Sequence, residues 1–137
     1  MELVRRLQPP PQVDLTALFR DEDYEAVMQY VSPLFSEDFV AIFHGLSGDP
    51  RAGLEGLRQS WLDWLEPWES YRVEIEDLID AGDRVLVFSR DRARRPGVAE
   101  EVELMGSAVW TVADGKVERA EFFTRRADAI AAAGLSK

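Results

Sequence analysis

A chain of 137 residues, 46% of them hydrophobic, is sized for one domain with a single core, which hides roughly two-thirds of the surface that the unfolded chain exposes. The absence of cysteine excludes a disulfide framework and any thiolate metal site, and a net charge of −10 at pH 7 repels phosphate backbones and anionic lipid, so neither nucleic acid nor a membrane surface is an expected partner. The opening MELVRRLQPPP has no apolar leader core, and nowhere do about 18 apolar residues run together, so the expected location is cytoplasmic.

Glu2 to Gln8 reads as a short helix stopped by Pro9, Pro10 and Pro11, which force an extended segment. Asp14 is placed to cap a short DLTALFR helix, and Asp21 a second one in which Tyr24, Val27, Tyr30, Val31 and Leu34 recur at helical spacing up to Pro33. Phe39 to His44 predicts a short strand with Val40, Ile42 and His44 on one face. GLSGDPRAG is a loop. LEGLRQSWLDWL follows as an amphipathic helix ended by Pro67, with Leu54, Leu57, Trp61, Trp64 and Leu65 on one side.

From Tyr71 to Thr124 the pattern changes to period two. YRVEIEDLID, RVLVFSRDRA, EVELMGSAVWTV and KVERAEFFT read as four successive antiparallel strands, separated by AGD, RRPGVAE and ADG. Strands of about ten residues need strong twist, so the sheet is expected to curl around helices or a ligand. Arg126 to Gly134 closes the chain as an Ala-rich helix with Gly134 as its C′ residue. The order helices, strand, helix, meander is that of an α+β domain spanning 1–137, with 1–21 as an N-terminal extension.

Strand parity decides which side chains face inward. Placing Leu86 and Phe88 against the helices puts Arg90 and Arg92 on the same face, with Gly106, Ala108, Trp110 and Val112 beside them and Ala120, Phe122 and Thr124 next; the opposite parity turns Ser89 and Asp91 inward. The first parity is the expectation taken forward. It makes Trp61, Trp64, Trp68, Phe88, Trp110 and Phe122 the walls of an apolar ligand site. His44, the only histidine, is the candidate acid or base, and Arg90 the candidate anchor for a carboxylate or enolate oxygen. The competing role for His44 is a hydrogen-bonded strand end, and for Arg90 an ion pair with Glu103 or Asp91. No spacing suggests a metal site, and no phosphate-binding or nucleophile-elbow motif occurs, so neither metal nor organic cofactor is expected. In RVLVF and LMGSAVWTV both strand faces are apolar or small, which predicts that a second copy of the chain covers the outer sheet face as a homodimer.

FVAIFHGLSGDPRAGLEGLRQSWLDWLEPW, DLIDAGDRVLVFSRDR and AVWTVADGKVERAEFFTRRADAIAAAGL resemble the SnoaL-like branch of the nuclear transport factor two-like superfamily over roughly residues 22–135. The resemblance implies a cone-shaped fold, a curved antiparallel sheet wrapped around helices with a pocket at one end, commonly dimeric. Its members include polyketide cyclases, ketosteroid isomerases, epoxide hydrolases and dehydratases. By the same resemblance His44 falls where the isomerases carry their proton-abstracting carboxylate, whereas Ala108 or Ser107 stands where they carry a neutral acid, and Asp91 pointing away from Arg90 leaves the hydrolase triad unassembled. Three roles follow: an acid-base enzyme of the isomerase, cyclase or dehydratase type, a non-catalytic binder of an apolar ligand, or an interaction module whose pocket is only core.

Overall fold

In the computed structural model, which describes residues 1–135, five helices accompany one six-stranded sheet. The elements are α1 (Glu2–Leu7), α2 (Leu15–Arg20), α3 (Tyr24–Met28), a 3-10 turn (Ser32–Leu34), β1 (Phe35–Phe43), β2 (Arg51–Ala52), α4 (Gly53–Leu65), β3 (Ser70–Ala81), β4 (Arg84–Arg94), β5 (Glu101–Ala113), β6 (Lys116–Phe123) and α5 (Arg126–Ala132). Strand order is β2-β1-β6-β5-β4-β3, antiparallel throughout except for the β1–β6 pair, which is parallel. Among the described residues no helix is long and apolar enough to cross a membrane.

The four-strand meander follows the sequence pattern, and its tight turns fall at Gly82 and Gly115, whose positive φ angles of 82° and 76° only glycine adopts freely. β1 is longer than its FVAIFH pattern suggested because Phe35, buried at 8% exposure, already pairs with Val117. The helix expected after Asp21 is shorter: α3 ends at Met28, Pro33 occupies the 3-10 turn, and Tyr30 stands 83% exposed, so the apolar spacing of Tyr24 to Leu34 is not one buried face. Tyr24 alone on α3 is buried.

The inner face of the sheet packs against α1, α2 and α4. Asp14 caps α2 by accepting from the Thr16 N–H at 3.0 Å, and the same carboxylate oxygen accepts from the Tyr71 N–H at 3.0 Å, which ties α2 to the start of β3. A bulge at Glu76 then changes which β3 residues face inward, so that Leu78 follows Ile75 on the inner side while Glu76 projects outward.

Part of the outer face is covered from within the chain, where α5 lies across it and buries Leu86 and Val109 with Ala129 and Ala133. One expectation is corrected here. Strand β4 has the opposite parity to the one taken forward. Val87 pairs with Ala108, Ser89 with Gly106 and Asp91 with Leu104, so Val85, Val87, Ser89 and Asp91 point inward with Ala108 and Trp110. Leu86, Phe88 and Arg90 therefore point outward. The inward side of β6 fixes the faces of β5 but leaves β4 free until its register with β5 is known.

Candidate functional site

Between the inner sheet face and the helices lies a cavity of about 710 Å³, partly open to solvent and lined almost entirely by apolar side chains. Its centre is aromatic. Trp61 on α4 stacks on Phe19 at 5.5 Å and 14°, and meets Phe43, Tyr71 and Phe122 edge-on at 5.2, 6.1 and 5.5 Å. Such tilted arrangements hold the rings rigidly and leave their remaining faces as wall.

One polar cluster interrupts this wall. Asp91, 6% exposed, accepts hydrogen bonds from the Tyr71 hydroxyl at 2.5 Å and the Ser89 hydroxyl at 2.7 Å. All three residues line the cavity. β3 supplies Tyr71 and β4 supplies Ser89 and Asp91, two residues apart on a strand and hence on one face. Gly106 on β5 makes the arrangement possible: a Cβ there would overlap Ser89 Oγ and stand 3.0 and 3.1 Å from the two Asp91 oxygens. Burial raises the Asp91 carboxyl above the usual carboxylate range, against the lowering effect of its two hydroxyl donors and of Arg126. Burial, and then the Asp91 charge, push the Tyr71 phenol far up, so it stays protonated and remains a donor. A carboxyl raised in this way is a candidate to give or take a proton, and the phenol beside it holds its orientation.

His44 and Arg90 lie outside this cavity. His44 continues the outward row of Val40 and Ile42, stacks on Phe123 at 4.4 Å, and places Nε2 3.0 Å from Glu121 Oε2 with 40% of its side chain exposed. Arg90 is on the outer face, 3.1 Å from Glu76 and 3.4 Å from Glu103, also with 40% of its side chain exposed. Of the expected walls, Trp61, Trp64, Trp110 and Phe122 do line the cavity. Trp68 instead packs beside Tyr71 in the core behind it, under the Arg95 guanidinium, and Phe88 sits on the outer face under the Arg126 guanidinium at 4.5 Å. Tyr71 and Gly106 were missed by the sequence reading as contributors of chemistry. The legible signal was a polar pair two apart, Ser89 and Asp91, on a strand whose neighbour carries a glycine within a run of apolar and small residues. Among the described residues no group of three or more His, Asp or Glu side chains is arranged to hold a metal ion.

Residues 13–120 match the family model of the SnoaL-like domain. The chain belongs to the SnoaL-like family. Its fold agrees with solved structures of the nuclear transport factor two-like and ketosteroid isomerase-like type. TerC, crystallised with polyporic acid, superposes with a TM-score of 0.61 at 22% identity, over 86% of this chain and 91% of that one. A protein from Jannaschia sp. CCS1 assigned as a SnoaL-like polyketide cyclase gives 0.60 at 20% identity, over 95% and 99%. A hypothetical protein with a ketosteroid isomerase-like fold from Catenulispora acidiphila DSM 44928, in complex with trimethylamine, gives 0.60 at 17% identity, over 88% of each chain. No curated protein matches the sequence. In this SnoaL-like chain the family match begins at Val13, so α1 and the prolines after it lie before it.

Proposed function

We propose that the cavity takes up an apolar small molecule and that Asp91, oriented by Tyr71 and Ser89, transfers a proton on it, as an acid-base enzyme of the isomerase, cyclase or dehydratase type. The observation that carries this reading is the buried Asp91 carboxyl, raised above its ordinary range, in a cavity wall that is otherwise uncharged and mostly apolar. Among the described residues no Lys, Arg or His lines the cavity, so a ligand anion would meet no counter-charge there and a neutral molecule is favoured. The small molecules crystallised with TerC and with the Catenulispora protein support a small-molecule role on this fold.

The chemistry follows from the local groups. When ionised, Asp91 accepts a proton from an acidic carbon or hydroxyl of the ligand, and the apolar surroundings favour the neutral acid that results. The carboxylic acid then returns the proton to another atom of the same ligand, which is an isomerisation, or to a leaving hydroxyl, which is a dehydration. Tyr71 stays protonated through both steps and holds the carboxyl in place.

Incubating the protein with a panel of apolar cyclic ketones in heavy water, and following deuterium at the carbon beside the carbonyl by mass spectrometry, tests this. Exchange by the wild type that vanishes in Asp91→Asn, while Nile red still binds, supports the reading. A second reading, a non-catalytic binder, is favoured by the engagement of both Asp91 oxygens by hydroxyl donors within the chain. Nile red binding by a wild type that exchanges no deuterium on any ketone selects it.

A further inference from the structure

The cavity is closed on one side by a segment that precedes the family match. Leu7, Gln8, Pro9 and Pro10 line it. α1 is only six residues long and has no side-chain N-cap, and a helix so short is not stable on its own in water. What holds it is apolar docking. Val4 is 0% exposed within the main core, and Leu3 and Leu7 pack against the same cluster.

The polar bookkeeping is one-sided. The hydrogen bonds of this segment run from Arg5 N–H to the Met1 carbonyl, from Gln8 N–H to the Arg5 carbonyl, from the Gln8 side-chain amide to the Val4 carbonyl, and from Val13 N–H to the Pro10 carbonyl. Among the described residues, no hydrogen bond or ion pair joins residues 1–13 to the rest of the chain. Pro9, Pro10 and Pro11 have no N–H to donate, and they make the link to α2 stiff. A segment held only by a few apolar side chains belongs to the low end of local stability, from which locally opening units are drawn.

We propose that residues 1–12 form a detachable strap that gates the cavity and sets the size of ligand it retains. This rests on the reading that the cavity takes an apolar ligand. With the strap docked, Leu7, Pro9 and Pro10 are part of the ligand's contact surface. With it lifted, that side of the cavity opens to solvent and ligand exchanges. Val4 is the lever, because it docks the strap without lining the cavity.

Stopped-flow fluorescence of Nile red with wild type, Val4→Ala and a variant lacking residues 1–12 tests the strap. Trimming one buried aliphatic side chain shifts a docking equilibrium by about tenfold, so Val4→Ala is expected to raise both association and dissociation rates about tenfold while the equilibrium affinity moves far less. The deletion is expected to raise them further and to admit bulkier apolar dyes. Binding by the variants alone also supports the strap, as a plug. Wild-type rates in a folded Val4→Ala overturn the gate, and that variant decides the matter if the deletion does not fold. Nile red binding to none of the three overturns the cavity-binding reading and the strap together, whereas binding to all three at equal rates overturns only the strap.

Discussion

Replacing Gly106 by alanine probes the packing that lets the polar cluster exist. The new Cβ would overlap Ser89 Oγ and crowd both Asp91 oxygens at 3.0 and 3.1 Å. The serine hydroxyl can escape only by rotating, which breaks its 2.7 Å hydrogen bond to Asp91 in a buried setting. Losing that bond and crowding the carboxylate costs about 1–3 kcal/mol. In a Ser89→Ala background the bond is already gone and the worst overlap is removed, leaving only the 3.0 and 3.1 Å contacts with Asp91, so the same change should cost less, about 0–1 kcal/mol, helped by the lower backbone entropy of the unfolded alanine chain. The double-mutant cycle is therefore expected to show a coupling of about 1–2 kcal/mol, with the double variant more stable than the sum of the single changes implies. Urea unfolding followed by tryptophan emission measures it, given equal m-values in the four proteins. Additivity within about 0.5 kcal/mol would refute the claim that Gly106 is required by Ser89.

Asp91→Asn should alter the pH dependence of stability in a defined direction. The native state holds its proton to higher pH than the unfolded chain, where an aspartate titrates near 3.9, so wild-type stability falls as pH rises from about 4 through the raised native pKa, and the asparagine variant should gain on wild type across that window. Parallel urea midpoints for the two proteins over pH 4–8 would count against it. Tyr71→Phe removes one of the two hydroxyl donors to Asp91 and should cost about 1–3 kcal/mol, with the larger loss at the higher pH where the carboxyl is ionised; a loss independent of pH would place the hydroxyl's contribution elsewhere. His44→Ala breaks a partly exposed hydrogen bond and Arg90→Ala two partly exposed ion pairs, and each should cost less than about 1 kcal/mol, with Nile red affinity unchanged. A tenfold weakening in either would return that residue to the cavity.

The sheet was legible because its turns and its period-two pattern agree from Tyr71 onward. The site was less so, for a reason local to β4. Val85, Leu86, Val87 and Phe88 are apolar on both faces because the inner face meets the core and the outer face meets α5, and a strand covered on both sides carries no parity signal of its own. Only the residues further along, Ser89 and Asp91 against Arg90 and Arg92, distinguish the faces, and register rather than pattern assigns them. His44 illustrates the same limit: its row with Val40 and Ile42 is visible in the sequence, while the side of the sheet it joins depends on the pairing of Ile42 with Glu121. The apolar residues of α1 gave no hint of their docking site, since a three-proline link fixes its own geometry but not its direction.

The β1–β6 pair constrains the order in which the molecule is made. Ala41 meets Ala120 across the sheet, so the first long strand, which meets only the two-residue β2 on its other edge, finds its long hydrogen-bonding partner only after most of the chain has been made. A nascent chain leaving the ribosome can zip β3, β4 and β5 together by local hairpins and lay β2 and α4 on β1, but the other edge of Phe35 to Phe43 has to wait unpaired until β6 slots in between. Biogenesis is thus most vulnerable to aggregation in the interval before those two ends meet.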